Sequence, residues 1–142
     1  MSSPRRIDLA AAVLRTGVGV MFVAHAALKY FVFTLPGTAR FFESLGLPGA
    51  LGYATFAAEL VGGLLLVAGI GTRIVAALLM PILLGATWAH FGNGWVFTAQ
   101  NGGWEYPAFL TLAAFVTAIL GNGARDDVRT GAAQAPRAIE AA

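Results

Sequence analysis

The stretch LRTGVGVMFVAHAALK, from Leu14 to Lys29, carries three ionisable side chains in an otherwise apolar run. At 100° per residue on a helix, Arg15, His25 and Lys29 fall with Phe22 inside an arc of roughly 80°. An arginine about two turns inside an apolar helix costs on the order of 2.5 to 3.5 kcal/mol by insertion scales. We therefore expect this stripe to face a protein interior or a watery cavity, where it meets polar partners.

The composition indicates a membrane protein. The 142 residues are 58% hydrophobic and 11% charged, whereas a soluble domain has about 25% charged residues. At about 20 residues per span, the chain has room for about four transmembrane helices and no separate soluble domain. The net charge of +2 is spread along the chain, without the basic cluster of a nucleic-acid-binding protein. The absence of cysteine excludes thiol–disulfide exchange within the chain.

Apolar runs and Pro-Gly breakers predict an all-α fold, a transmembrane four-helix bundle forming a single membrane domain over residues 1–142. The predicted spans cover residues 7–33, 51–70, 74–91 and 104–121, with an interfacial loop at 34–50 and a flexible tail at 122–142. A cleavable signal peptide is the alternative for the first run, but Arg15 interrupts its core. Lys and Arg placement predicts a multi-pass protein with both termini in the cytoplasm.

The second span contains one carboxylate, Glu59. Counted at ~1.5 Å per residue, Arg15 lies about 12 Å and Glu59 about 17 Å above the inner ends of their spans. This spacing predicts a buried ion pair between Arg15 and Glu59. Two interpretations stay open, because such a pair can either fix the helix register alone or handle protons or a ligand. Gly62 and Gly63 permit close helix contact, within the chain or in a homo-oligomer.

A second polar group is expected toward the outer face of the bundle, where it forms the better candidate for a ligand-binding site. Each residue also has an ordinary interpretation, since a lysine can extend to the interface, a tryptophan can belong to the aromatic belt and a histidine can be an interior donor. Their coincidence at one depth favours a site for a small amphipathic molecule. The predicted ligand-binding residues are His25, Lys29, His90, Trp104, Glu105 and Tyr106.

Three kinds of ligand are considered for this group. A quinone head could accept hydrogen bonds from donors in the group, with its tail between the helices. The candidate donors are His25, Lys29, Trp104 and Tyr106, and Glu59 or Glu105 could exchange protons with the quinone. Haem ligation by His25 and His90 is an alternative that neither the spacing nor a second histidine pair supports. A metal held by two histidines and a carboxylate conflicts with the neighbouring Lys29 cation. The catalytic residues are left unassigned.

The pattern Arg15-x3-Gly19-x2-Phe22-x2-His25-Ala26-x2-Lys29 resembles the signature of the DoxX family of small membrane proteins. Later segments with the same resemblance are Glu59-x2-Gly62-Gly63, Gly69-x2-Thr72-Arg73, His90-Phe91 and Gly102-Gly103-Trp104-Glu105-Tyr106-Pro107. Ala26 replaces the glycine usual after the family's histidine. The resemblance implies a four-helix membrane bundle whose relatives include subunits of quinone-linked oxidoreductases and partners in thiol-redox or oxidative-stress complexes.

The leading hypothesis is therefore an inner-membrane redox accessory protein that binds quinone and works beside a partner protein that supplies electrons. Whether the chain itself is an enzyme is left open. The alternative is a non-enzymatic membrane scaffold, or a carrier of protons or small solutes, in which the buried charges organise packing. The lack of a complete catalytic set in the sequence motivates that alternative.

Overall fold

The structure, a computed structural model, describes residues 3–123. The predicted flexible tail lies outside the described residues, except for its first two positions. Five α-helices occur in the described part, namely α1 (Ser3–Phe31), α2 (Leu35–Ser44), α3 (Ala50–Ala68), α4 (Thr72–His90) and α5 (Glu105–Leu120), and a 3₁₀ turn (Phe91–Asn93) follows α4.

The expectation of four helices is corrected to five, because part of the predicted interfacial loop is helical. Thr34 starts α2, and its hydroxyl accepts a hydrogen bond from the backbone N–H of Gly37. Pro36 lies in the first turn, where its missing N–H costs no intrahelical bond. The helix packs on α3 at Gly52, where an added Cβ would lie 3.0 Å from Ala39 N.

Three of the four predicted spans are long and apolar enough to cross a membrane: Arg5–Phe31, Ala50–Ala68 and Thr72–Asn93. The fourth is represented by α5, an apolar helix of 16 residues. At 1.5 Å per residue it is about 24 Å long, which is shorter than the ~30 Å hydrocarbon core of a typical bilayer. Membrane association therefore rests on α1, α3 and α4.

Helices α1 and α3 are antiparallel and meet through two glycines. A Cβ added to Gly19 would lie 2.8 Å from Gly63 O, and one added to Gly63 would lie 2.8 Å from Gly19 O. No side chain larger than hydrogen fits between these backbones, so the contact sets which residues of the two helices are level. Gly62 faces α4 instead, where an added Cβ would lie 2.8 Å from Leu79. Both glycines that could have served a dimer seam thus pack within the chain.

Helices α4 and α5 form the second closely packed pair, and a short turn joins α4 to α3. Gly69 and Gly71 hold this turn in the left-handed conformation, at φ 72° and 59°, which glycine adopts without a steric penalty. The core between the two pairs is built from α1, α3, α4 and α5, and its buried residues are Val18, Phe22, Leu66, Ala76, Leu79, Leu83, Leu110 and Ala114.

Two contacts fix α5 antiparallel to α1. The ring of Tyr106 stacks on His25, with centroids 5.9 Å apart, and a Cβ added to Gly123 would lie 3.0 Å from Asp8 Cα. The bundle therefore has two ends. Helices α1 and α4 run toward the His25 end and finish there, where α3 and α5 begin. Helices α3 and α5 run the other way and finish at the Arg15 end, where α1 and α4 begin.

Candidate functional site

The central contact of the candidate site is an ion pair between α1 and α3. Lys29 Nζ lies 2.6 Å from Glu59 Oε2, with the two side chains 17% and 6% exposed. Glu59 is thus buried with Lys29, and the predicted Arg15–Glu59 pair is wrong. The expectation that these polar side chains turn inward and meet polar partners is confirmed for both helices.

The direction in which the side chains lean explains why Glu59 pairs with Lys29 and not with Arg15. Side chains on a helix lean toward its N-terminus, so Lys29 on α1 and Glu59 on the antiparallel α3 lean toward each other. Arg15 leans away from Glu59. With Gly19 level with Gly63, Arg15 is level with Val67, about 12 Å along α3 from Glu59. The depth estimate from sequence compared backbone positions and omitted this lean.

Arg15 instead binds the C-terminus of α3. Its Nη1 donates to Leu66 O at 2.6 Å and to Val67 O at 2.8 Å. The last carbonyls of a helix lack intrahelical donors and carry the negative end of the helix dipole. Leu66 O also accepts the Gly69 N–H at 3.1 Å, so the guanidinium adds a donor for Val67 O and a positive charge at the negative end of the helix dipole. Gly69 leaves room for it, since an added Cβ would lie 2.9 Å from Arg15 Cζ.

His25 joins the Lys29–Glu59 pair to α5. Its Nδ1 lies 2.7 Å from Met21 O, and because a carbonyl only accepts, Nδ1 carries the proton. In the neutral ring, Nε2 is then the acceptor. The ring lies one helical turn before Lys29 on α1, and it stacks on Tyr106 with an interplanar angle of 17°.

The hydroxyl of Tyr106 is buried and has no hydrogen-bond partner in the described part of the chain. A buried hydroxyl without a partner costs about 1 to 3 kcal/mol relative to its hydrated state. It lies on the ring that covers His25, in the first turn of α5. Together His25, Lys29, Glu59 and Tyr106 form what we call the polar cluster. It holds a positive charge, a negative charge, a ring-nitrogen acceptor and a hydroxyl available for a new partner.

The other three predicted ligand-binding residues hold the loop between α4 and α5. His90 Nδ1 donates to Asn101 O at 3.0 Å and Gly102 O at 3.1 Å. Trp104 stacks on Phe91 and meets Trp95 edge-on. A carboxylate oxygen of Glu105 accepts the Phe97 N–H at 2.9 Å. The predicted six-residue group therefore divides into His25, Lys29 and Tyr106 in the cluster, and His90, Trp104 and Glu105 in the loop.

The two histidines have different neighbours, because His25 faces α5 and His90 faces loop carbonyls. Among residues 3–123, no three His, Asp or Glu side chains gather in a group that could hold a metal ion. The cluster offers donors and acceptors of hydrogen bonds, and its carboxylate, amine and imidazole are groups of the kind that exchange protons.

The sequence profile of the DoxX family matches residues 10–92, which include Arg15, His25, Lys29 and Glu59. The chain belongs to the DoxX family. Tyr106 and the rest of α5 lie beyond the matched region, although the segment from Gly102 to Pro107 resembles the family's later motifs.

A relative of this DoxX protein is the Bacillus subtilis (strain 168) protein named "Putative oxidoreductase CatD". It is 37% identical over 82 residues, which make up 58% of this chain and 60% of the relative. The match therefore spans less than two thirds of the relative's length. No solved structure matches the chain.

Proposed function

We propose that this DoxX protein is a redox accessory subunit of a membrane oxidoreductase or oxidative-stress complex, and that its polar cluster binds the head group of a quinone. The observation that carries the proposal is the buried, unpartnered hydroxyl of Tyr106 beside His25. A quinone offers two carbonyl oxygens on a flat ring, and these accept hydrogen bonds. The oxidoreductase name of the Bacillus subtilis relative supports the redox class.

The donors in the cluster fit such a head group. Tyr106 Oη can donate to one carbonyl, and this bond would remove the cost of leaving the hydroxyl unpaired. Lys29 has three ammonium hydrogens, of which one is directed at Glu59. The stacked rings of His25 and Tyr106 form an aromatic surface beside these donors. A bound quinone supplies electron-accepting chemistry, and the electrons come from a partner protein.

Residues of the same polar cluster would also carry protons to and from the quinone. Glu59 forms an ion pair with Lys29 at 2.6 Å. The carboxylate of Glu59 can take up a proton while the amine of Lys29 stays charged. On the side of the cluster that faces α5, His25 Nε2 is an acceptor for such a proton. In this role Glu59 and His25 hold and pass protons, while Tyr106 orients the head group.

We place the protein in the cell inner membrane with the Arg15 end in the cytoplasm. Arg5 and Arg6 at the start of α1 and Arg73 at the start of α4 all lie at that end, and cytoplasmic loops carry the excess of Lys and Arg. The cluster then lies in the outer half of the bundle, where a quinone can enter from the bilayer.

Quinone titration of the purified protein in lipid nanodiscs tests the proposal, with a short-chain ubiquinone and a menaquinone as probes. Tyr106→Phe removes only the hydroxyl, and we expect affinity to fall about tenfold, the equivalent of ~1.4 kcal/mol for one hydrogen bond. Thermal stability without quinone should be unchanged or slightly higher, because the hydroxyl has no partner to lose. Tyr53→Phe is the matched control, since Tyr53 is 46% exposed.

Two results would contradict the proposal: no quinone binding by the wild-type protein, or equal binding by the wild type and Tyr106→Phe. Solvent extraction with mass spectrometry for isoprenoid quinone, a visible spectrum and a metal assay identify any co-purified ligand. Absence of quinone would favour the scaffold or carrier hypothesis. The backbone contacts of Arg15, His90 and Glu105 are the observations that favour that alternative.

A further inference from the structure

The segment after α4, residues 91–104, is called here the aromatic loop. Its sequence, FGNGWVFTAQNGGW, has no Asp, Glu, Lys, Arg or His. Loops in contact with water are usually polar on the outside, because their backbone groups and side chains bind water. The aromatic loop exposes Thr98, Gln100 and Asn101, but it also exposes several apolar side chains.

Several of its polar groups are hydrogen-bonded to other protein groups. Besides the His90 and Glu105 contacts, Asn93 Nδ2 donates to Gly102 O at 2.9 Å. The backbone N–H groups of Trp104 and Glu105 donate to Gly94 O and Trp95 O, both at 3.1 Å. The backbone is so closely packed that a Cβ added to Gly103 would collide with Val96 O. Protein groups thus satisfy part of the hydrogen bonding of the loop.

Its apolar side chains face outward. Trp95, Val96 and Phe97 are 56%, 49% and 61% exposed. Exposed aromatic side chains also occur where α4 meets the loop, since Trp88 in the last turn of α4 and Phe91 at the start of the loop are 58% and 63% exposed. Since α4 is one of the helices long and apolar enough to cross a membrane, the loop extends a surface that already faces lipid.

We propose that the aromatic loop is inserted into the headgroup region of the bilayer at the His25 end, where the lipid interface covers Trp95, Val96 and Phe97. Tryptophan is enriched at the membrane interface, and the protein-bonded part of the backbone carries no cost near the hydrocarbon, while the remaining polar groups can bind the water of the headgroup region. The uncharged sequence removes the desolvation cost of bringing ions there. This inference does not depend on quinone binding.

Spin labelling tests the insertion directly, because the chain has no native cysteine. A nitroxide is attached to Val96→Cys in the full-length protein in nanodiscs, and its collision rates with oxygen and with a water-soluble nickel chelate are measured. Oxygen concentrates in lipid and the chelate in water. We expect a severalfold higher oxygen-to-nickel ratio for the Val96 label than for a label in water.

Two reference positions calibrate the measurement. Leu78→Cys, at a residue of α4 that is 71% exposed, reports lipid, and Arg6→Cys, exposed near the start of α1, reports water. The Val96 label should resemble the Leu78 label more closely than the Arg6 label. A Val96 ratio equal to that of Arg6 would overturn the proposal and leave the surface free for a water-soluble protein partner.

Discussion

Two cations of one helix, Arg15 and Lys29, are stabilised in different ways. Lys29 meets a carboxylate, and Arg15 meets the carbonyls that end α3. Both arrangements reduce the cost of a charge in an apolar segment, but only the first pairs two ionisable groups. A buried ion pair is costly to break by removing one partner, since the remaining charge is left uncompensated.

We therefore predict strong coupling between Lys29 and Glu59. Lys29→Met and Glu59→Gln should each lower the free energy of unfolding by about 3 kcal/mol. The double variant should lose less than the sum of the two, because neither change then leaves an unpaired charge. Unfolding in nanodiscs of the wild type, both single variants and the double variant measures the coupling energy.

Arg15→Met combined with Glu59→Gln provides the comparison for that cycle. Arg15 is level with Val67, which is about 12 Å along α3 from Glu59. The effects of changes at such separations on the free energy of unfolding usually add within about 0.5 kcal/mol. Additive losses for Lys29 with Glu59 would contradict their ion pair. Strong coupling of Arg15 with Glu59 would mean that Arg15, and not Lys29, is the partner of that carboxylate.

Helix α1 contains two glycines, Gly17 and Gly19, of which only Gly19 lies against another helix. An added Cβ at Gly17 meets no atom within 4 Å, whereas at Gly19 it meets the α3 backbone at Gly63 O. The close approach of α1 and α3 at Gly19 fixes the level of Lys29 against Glu59. Packing of these two helices therefore determines the geometry of the polar cluster.

This difference gives a prediction with its own matched control. Gly19→Ala must push the helices apart and should cost about 2 kcal/mol, as is typical for overpacking. Gly17→Ala should be neutral, or stabilising by up to about 1 kcal/mol, since alanine is the better helix former. Thermal unfolding of both variants measures the effect, and equal stability would place the tight helix contact elsewhere.

At the scale of the whole molecule, the contacts of α5 determine how many times the chain crosses the membrane. Its first turn lies beside His25 and the residues after its end lie beside Asp8. Although α5 has only 16 residues, it returns the chain along α1 to the Arg15 end. We therefore expect four passages through the bilayer and both ends of the described chain on one side.

Single-cysteine labelling with an impermeant maleimide tests this topology. Arg6→Cys and Arg73→Cys should be labelled from one side of sealed vesicles, and Glu43→Cys on α2 from the other. Asn122→Cys, just beyond α5, should react with the Arg6 group. Its reaction from the Glu43 side would mean that α5 does not cross the membrane.

Much of the bundle follows from the sequence. Four apolar runs predicted four helices, and the structure contains three of them as helices long and apolar enough to cross a membrane and the fourth as α5. Because ionisable side chains in lipid-length segments must turn inward, the same reasoning selected Arg15, His25, Lys29 and Glu59. The prediction of an outer polar group added Tyr106. The resemblance in residues around His25 and Glu59 agrees with the family match over residues 10–92.

Tertiary structure decided which of these residues meet. Sequence gives the order of residues along each helix but not the level at which two helices cross, and the Gly19–Gly63 contact sets that level. The lean of side chains toward each helix N-terminus then pairs Glu59 with Lys29 instead of Arg15. Likewise, the loop hydrogen bonds of His90 and Glu105 depend on how residues 91–104 fold back on α5. Each outcome depends on distances between segments far apart in the chain, which periodicity along one helix does not contain.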